Sequence, residues 1–298
     1  MMVSLRRHSR PETFRSVTGP EWPRTSSSVV VMFAIRLCPL RLNRLLRSKD
    51  SSTSSETRNR CYDQLRSVLR QIYQHHQMNY TGKPKVVLLG DYIDRGPKSR
   101  EVINLFVVRN VWSDLIDFIF IRGNHDEELL ILYDEMLKDG IPPDIGIESF
   151  LSNGGDATMM SYGYPGEKIC FNQFLQNIPH EHLDFLRSTR WSYEHGPYFF
   201  VHAGIDPDRH ILDQDPKTFI EIREKFLTSE KIFGRIVVHG HTESSTVTVL
   251  SNRIGVDTGA GYPDGHLSGV CLDGSVTIFS SKTTTSELDE VIESRKRG

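Results

Sequence analysis

Four separate segments of the sequence combine Asp, Asn, Arg and His in patterns that could bind metal ions and phosphate: 90–96, 122–126, 201–204 and 239–242. Mixed oxygen and nitrogen ligands suit Mn, Fe or Zn better than Ca or Mg, which prefer oxygen alone. A carboxylate can bridge two such ions, and a pair about 3.5–4 Å apart clamps a phosphoryl group and generates hydroxide at neutral pH. The candidate residues are Asp91, Asp94, Arg95, Asn124, His125, Asp126, His202, His239 and His241.

Phosphate chemistry at such a site also needs an arginine and a proton donor. The planar guanidinium of Arg95, close to Asp91 and Asp94 in the sequence, could bind phosphate oxygens in bidentate fashion. A histidine beside the metals, steadied by an aspartate, is the usual group that protonates a leaving alkoxide. The residue types therefore indicate metal-dependent phosphoester hydrolysis.

Each polar segment follows a short apolar run that predicts a buried strand, at 86–89, 115–121, 198–201 and 236–238. In α/β sheets, sites form at the carboxyl ends of the strands. We therefore expect the four segments to converge, although they lie far apart in the chain. Helices are predicted at 61–73, 99–108 and 126–137, and further short strands at 247–250, 254–257, 269–271 and 276–279.

Composition limits the classes of function. The 298 residues are 38% hydrophobic and carry a net charge of −2, which argues against a nucleic-acid or membrane partner. Four scattered cysteines without a C-x-x-C pair indicate reduced thiols and a cytoplasmic protein. The longest apolar run near the start, 29–35, is too short to span a bilayer.

The charge is unevenly distributed, which predicts a domain boundary. Residues 1–60 carry about +8 and the remaining 238 residues about −10. The first segment is rich in Arg and Ser, so we expect a disordered or mispredicted leader; an organelle transit peptide is the alternative. The predicted domain covers 61–281, a charged tail covers 282–298, and the stretch 138–150 is predicted to be a surface loop over the site.

The segments GDYIDRG (90–96), RGNHD (122–126), VHAG (201–204) and HGHT (239–242) closely resemble the calcineurin-like metallophosphoesterases. More narrowly, they are similar to the bacterial type of phosphoprotein phosphatase. That group contains serine/threonine protein phosphatases and symmetrical diadenosine tetraphosphatases. Three linking segments match as well, NGGDAT (153–158), IREKF (222–226) and DTGAG (257–261).

The resemblance implies a fold of mixed α/β (α+β) class. This fold is a β-sandwich flanked by helices, with a dimetal site at the carboxyl ends of the strands. It also implies residue roles. Asp91 would bridge two metals, and Asn124, His202 and His241 would complete the shell of the second. His125, paired with Asp94, would be the general acid, and Arg95 with Arg223 would hold the phosphate. His239 has no ligand role in the resemblance.

One part of the family pattern is missing. The family begins with a strand that ends in Gly-Asp-x-His-Gly, whose Asp and His bind the first metal. At the expected place the chain has Thr57 and Asn59. Three explanations stay open: residues 1–60 are an out-of-frame or mispredicted start, the protein is a degenerate phosphatase that binds one metal, or a nearby carboxylate (Asp50, Glu56 or Asp63) substitutes.

The sequence thus predicts a phosphatase that uses metal-activated hydroxide to hydrolyse phosphomonoesters, in a phosphoserine or phosphothreonine protein or in a small phosphoester. Alternatives are a dinucleoside polyphosphate hydrolase, or a pseudophosphatase that binds phosphate without cleaving it. The expected cofactor is a divalent transition metal, Mn in preference to Fe or Zn. The family holds two such ions, and this chain is expected to hold one.

Overall fold

The computed structural model describes residues 15–17, 30–33, 60–109, 111–262 and 264–282. The strands are β1 (Arg15–Val17), β2 (Val30–Phe33), β3 (Lys85–Leu88), β4 (Asp117–Phe120), β5 (Ser192–His195), β6 (Tyr198–Val201), β7 (Ile236–His239), β8 (Thr248–Val249), β9 (Arg253–Gly255), β10 (Ser268–Leu272) and β11 (Val276–Ser280). The α-helices are α1 (Arg60–Asn79), α2 (Ser99–Val107), α3 (Val111–Leu115), α4 (Asn124–Asp139), α5 (Asp144–Phe150), α6 (Asp156–Ser161), α7 (Phe171–Gln176), α8 (His180–Ser188), α9 (Pro216–Glu221) and α10 (Glu224–Leu227).

The strands form two sheets. The first has the order β1-β11-β10-β2-β3-β4, in which β2, β3 and β4 are parallel. The second has the order β5-β6-β7-β9-β8, in which β6, β7 and β9 are parallel. Each sheet therefore has a parallel central part whose strands end at the same edge.

Alternating side chains bring the two sheets face to face. Val87 of β3 packs in one apolar cluster with Phe200 of β6 and Val238 of β7, so these residues face the interior between the sheets. Val86 and Leu88 point the other way and pack against helices. This alternation follows from the two-residue period of a strand. The predicted β-sandwich flanked by helices is confirmed.

Helices cover the outer faces. In α1 the residues Leu65, Val68, Leu69 and Ile72 lie on one face and are fully buried against the first sheet. Burying each of these large side chains contributes about 1.5–3 kcal/mol. On the second sheet, α9 and α10 supply the buried Phe219 and Phe226 to a smaller cluster. These contacts hold the strand ends, and the loops that follow them, in place.

Strand β2 lies in the middle of the first sheet, between β10 and β3. It comes, with β1, from the segment 1–60 that the composition predicted to be disordered; at Arg15–Val17 and Val30–Phe33 the structure has strands. The reason is local: Val30–Phe33 is an apolar stretch inside a polar segment, and it completes the ladder beside β3. The division at 60/61 and 281/282 stays a prediction. Positions 57 and 59 and the tail from 283 lie outside the described residues.

The stretch 138–150 is largely helical, which corrects the prediction of a surface loop. Pro143 precedes α5 with φ −64° and ψ 140°, a geometry suited to the residue before a helix. Ile147 and Phe150 are buried and fix α5 on the domain. Within the part of the chain that the structure describes, no helix combines the length and apolarity needed to cross a membrane.

Candidate metal centre

The four polar segments meet where the parallel strands end. The strands β3 and β4 of one sheet lead to residues 90–96 and 122–126, and β6 and β7 of the other lead to 202–204 and 240–242. The predicted convergence at the carboxyl ends of the strands therefore holds for these segments. The site lies across the edge that the two sheets share.

Three buried side chains form a compact group at this edge. Asp91, His202 and His241 each offer a ligand atom, and these atoms all lie within 4.8 Å of one another. Nε2 of His202 is 3.1 Å from Nδ1 of His241 and 3.4 Å from Oδ2 of Asp91. Oδ1 of Asn124 lies 3.1 Å from the same Nε2. The four residues predicted as metal ligands are thus brought together.

The orientation of His202 suits a metal ligand. Its Nδ1 lies 2.6 Å from the carbonyl oxygen of Leu89, which can only accept, so Nδ1 carries the proton. With Nδ1 donating to this carbonyl, Nε2 faces the other three residues. Metal-binding histidines commonly have their second nitrogen fixed by such a carbonyl.

Four non-glycine residues have positive φ within the described chain, and all belong to the predicted site: Asp91 (58°), Asp94 (70°), Arg95 (61°) and His241 (65°). Such conformations cost of order 1–3 kcal/mol each and cluster at functional sites. The site is therefore built at the expense of local backbone stability.

Gly123 makes room for the carboxylate of Asp91. A Cβ at position 123 would lie 2.1 Å from Oδ1 of Asp91, and a Cβ at Gly90 would lie 2.4 Å from the nitrogen of Gly123. The two loops approach so closely that neither glycine can carry a side chain. The other carboxylate oxygen, Oδ2, lies 3.4 Å from Nε2 of His202.

The residues present fit a transition metal. In a tetrahedral shell with bonds of about 2.1 Å, ligand atoms lie roughly 3.4 Å apart, close to the spacings seen here. One carboxylate, one amide oxygen and two imidazoles also form the mixed set that suits Mn, Fe or Zn. Asp91, Asn124, His202 and His241 would hold such an ion.

Asp126 connects the loops of the centre. Its carboxylate accepts hydrogen bonds from the backbone nitrogens of Asp91 (2.9 Å), Tyr92 (2.9 Å) and Gly123 (2.8 Å). Burial, and then the charge of Asp91, raise the pKa of Asp126 to about 7. Asp126 lies in the first turn of α4, where a carboxylate can accept hydrogen bonds from free backbone N–H groups. These bonds fix the backbone that carries Asp91.

His125 and Asp94 form the predicted pair. Nδ1 of His125 lies 2.7 Å from Oδ2 of Asp94, and both residues are buried. Burial lowers the pKa of His125, but the charges of Asp91 and Asp94 outweigh it, so the net shift is upward. Thr158 donates to Oδ1 of Asp94 at 2.7 Å and orients the carboxylate.

The two predicted phosphate-binding arginines are each attached to a ligand loop. Arg95 donates through Nε to the carbonyl of Asn153 at 3.2 Å and lies 3.4 Å from the hydroxyl of Tyr262. Arg223 donates to the carbonyl of His241 at 3.4 Å and to Thr242 at 3.2 Å. Arg95 follows the Asp91 loop in the chain, whereas Arg223 reaches the His241 loop through space.

His239 stands apart from the ligand group. Its buried ring packs edge-on against Phe226 at 5.1 Å, and its Nδ1 lies 3.1 Å from the carbonyl oxygen of Gly240. Burial lowers its pKa to about 4, so it is a neutral packing residue.

Sequence reasoning named Asp126 as a candidate but gave it no role, and it assigned no role to two further supporting residues, Thr158 and Tyr262. Asp126 had a recognisable signal, since it stands three residues after the glycine that precedes α4. Thr158 and Tyr262 reach the site from distant segments, and no spacing rule places them there.

Comparison with known proteins agrees with this site. The family model for calcineurin-like phosphoesterases matches residues 57–250, more than half of the chain, so the chain belongs to that family. Membership supports a hydrolase that cleaves phosphoesters with the help of metal. No curated protein matches the sequence.

Two solved structures are similar to the chain at low sequence identity. One is the cold-active protein-tyrosine phosphatase of a psychrophile, Shewanella sp., 16% identical, with 89% of each chain covered and a TM-score of 0.47. The other is a metallophosphoesterase from Sphaerobacter thermophilus, 14% identical, with 91% of this chain and 95% of that chain covered and a TM-score of 0.44. At this identity neither likeness bears on substrate.

Proposed function

We propose that the protein is a metal-dependent phosphatase that hydrolyses phosphomonoesters, either phosphoserine and phosphothreonine in proteins or small phosphoesters. The observation that carries this proposal is the position of the His125–Asp94 pair directly beside the four predicted metal ligands. The backbone nitrogen of His125 donates to Oδ1 of Asp91 at 3.3 Å, so the residue that carries the imidazole is fixed directly to a predicted metal ligand.

A bound ion would lower the pKa of a water molecule and offset negative charge on the phosphoryl oxygens. The protein residues bind the substrate and supply the proton. Arg95 and Arg223 bind the remaining phosphate oxygens through their guanidinium groups. His125, whose Nδ1 is held by Asp94, has Nε2 left to protonate the departing oxygen.

We further propose that this chain holds one ion and not two. The link from β2 to α1, residues 34–59, contains no histidine and only two carboxylates, Asp50 and Glu56. The Asp and His that bind the first metal in the family pattern therefore have no counterpart of the same type there. Mn is the favoured metal, with Fe or Zn as alternatives, because all three accept mixed N and O ligands.

Metal analysis combined with turnover of p-nitrophenyl phosphate tests the proposal. We expect about one transition metal per chain, turnover that chelation abolishes, and at least a 100-fold loss of activity in Asp91→Asn. Substituting a residue that only supports a metal ligand lowers metal affinity or activity about 10–100-fold. Substituting a ligand itself should therefore lower activity further. Asp184→Asn, an exposed carboxylate on α8 away from the site, is the matched control and should keep full activity.

Binding of inorganic phosphate and cleavage of diadenosine tetraphosphate, measured beside turnover of p-nitrophenyl phosphate, distinguish two other functions. A pseudophosphatase would bind metal and inorganic phosphate without turnover. A dinucleoside polyphosphate hydrolase would cleave diadenosine tetraphosphate and leave monoesters intact. Two tightly held ions with Asp91→Asn still active would contradict the proposed centre.

A further inference from the structure

A cleft of about 650 Å³ opens beside the metal centre. Asn124, His241 and Arg223 line one end, so the cleft is continuous with the candidate catalytic residues. Its sides come from α4, α5 and α9. A group attached to the phosphate would therefore extend along this cleft.

Helix α4 presents one stripe of side chains to the cleft: Asn124, Glu128, Ile131 and Glu135. The spacing of three or four residues keeps them on one face. With a rise of 1.5 Å per residue, Glu128 lies about 6 Å and Glu135 roughly 16 Å along the helix from Asn124. An extended peptide advances about 3.3 Å per residue, so these distances correspond to about two and five residues.

The two carboxylates in the stripe are not neutralised. Neighbouring Glu127 forms an ion pair with Arg122 at 2.7 Å. Glu128, in contrast, accepts from Ser149 at 2.5 Å and from the amide of Asn153 at 3.2 Å, both neutral donors. Among the described residues, no cationic side chain lies within ion-pair distance of Glu128 or Glu135.

Apolar side chains accompany these charges. Ile131 is 50% exposed and Ile145, on the facing helix α5, is 79% exposed, and both line the cleft. Lysine and arginine have apolar stems that pack on such surfaces while their charged ends reach carboxylates. A dinucleoside polyphosphate would instead bring several negative charges toward Glu128 and Glu135, which is unfavourable.

We propose that this cleft selects phosphopeptides that carry basic residues about two and five positions from the phosphorylated residue. This inference rests on the proposed phosphatase function and names its substrate class. The phosphate lies at the metal centre, the first basic side chain pairs with Glu128, and the second pairs with Glu135. The isoleucines contact the stems of the basic side chains.

Binding can test this separately from catalysis. The probes are fluorescent peptides that contain a non-hydrolysable phosphonate analogue of phosphoserine. They carry either lysine or alanine two and five residues before the analogue and two and five residues after it. Anisotropy titrations use the full-length protein loaded with Mn. We expect the lysine peptide to bind about five- to tenfold more tightly at low salt, because two partly exposed ion pairs contribute this much. Higher salt should reduce the preference.

Charge variants locate the effect. In Glu128→Gln/Glu135→Gln the preference should fall below twofold, and Glu135→Lys should favour a peptide with glutamate at position five. The control Glu181→Gln/Glu230→Gln removes two exposed glutamates outside the cleft and should keep the preference. Equal affinity of the wild type for both peptides, or tighter binding of diadenosine tetraphosphate than of either, would overturn the inference. Selective binding without turnover of p-nitrophenyl phosphate would leave the inference standing and reject the proposed function.

Discussion

The metal centre at one end of the cleft, called the floor and comprising residues 90–96, 122–126, 202 and 241, differs in construction from the wall of the cleft, formed by the exposed faces of α4 and α5. Floor side chains are largely buried, and four of them sit on backbone with positive φ. Wall side chains such as Ile131 and Ile145 are at least half exposed on regular helices. Substitution is therefore costly in the floor and tolerated in the wall.

This difference separates two properties of an enzyme. Metal binding and proton transfer depend on atoms held within tenths of an ångström, which the floor achieves through Asp126 and the tight contact of Gly90 with Gly123. Substrate choice depends on charge and apolar area, which the wall offers without strain. The wall can therefore change while the chemistry in the floor is kept.

The largest effect on catalysis outside the metal ligands is expected for His125→Ala. Loss of the general acid should lower kcat by about 10²–10⁴ for a phosphoserine peptide, whose alkoxide must be protonated as it leaves. The loss for p-nitrophenyl phosphate should be much smaller, since nitrophenolate leaves without a proton. His180→Ala, an exposed histidine outside the site, serves as the control. Equal losses for both substrates would contradict the role of His125 as proton donor.

Gly123→Ala should have an intermediate effect. The added Cβ would lie 2.1 Å from Oδ1 of Asp91, so the carboxylate must move. We expect metal affinity to fall by about 10–100-fold and the free energy of unfolding to fall by about 1–3 kcal/mol. Metal titration and chemical denaturation measure the two effects. Gly163→Ala, where a Cβ meets open space, should leave metal affinity unchanged.

The smallest effect is expected in the wall, for Ile131→Ser and Ile145→Ser. Their exposure predicts a change in unfolding free energy of about 0.5 kcal/mol or less. KM for a basic phosphopeptide should rise about two- to fivefold, the result of losing roughly 1 kcal/mol of apolar contact. Ile169→Ser, 85% exposed and outside the cleft, should change neither. If Ile131→Ser or Ile145→Ser unfolded the protein, the claim that substitution is tolerated in the wall and costly in the floor would be wrong.

Much of the floor could be predicted because its residues follow apolar strands at short, regular distances. The positions of Asp91, Asn124, His202 and His241 at strand ends are local features, and the strands converge by a general rule of α/β sheets. The wall was less predictable: residues 138–150 looked like a loop because Pro142 and Pro143 interrupt the helical pattern. The positive φ values and the hydrogen bond from Thr158 to Asp94 depend on packing between distant segments, which no short motif encodes.

The place of β2 in the first sheet has a consequence for synthesis of the protein. Val30 pairs with Leu272 on one side and with Lys85 on the other, so one of the two partners of β2 is synthesised about 240 residues after it. At about 5–20 residues per second, that partner arrives roughly 10–50 s later. During this interval β2 can pair with β3, but the backbone groups on its other side lack the partner strand β10, which leaves an open sheet edge on the growing chain.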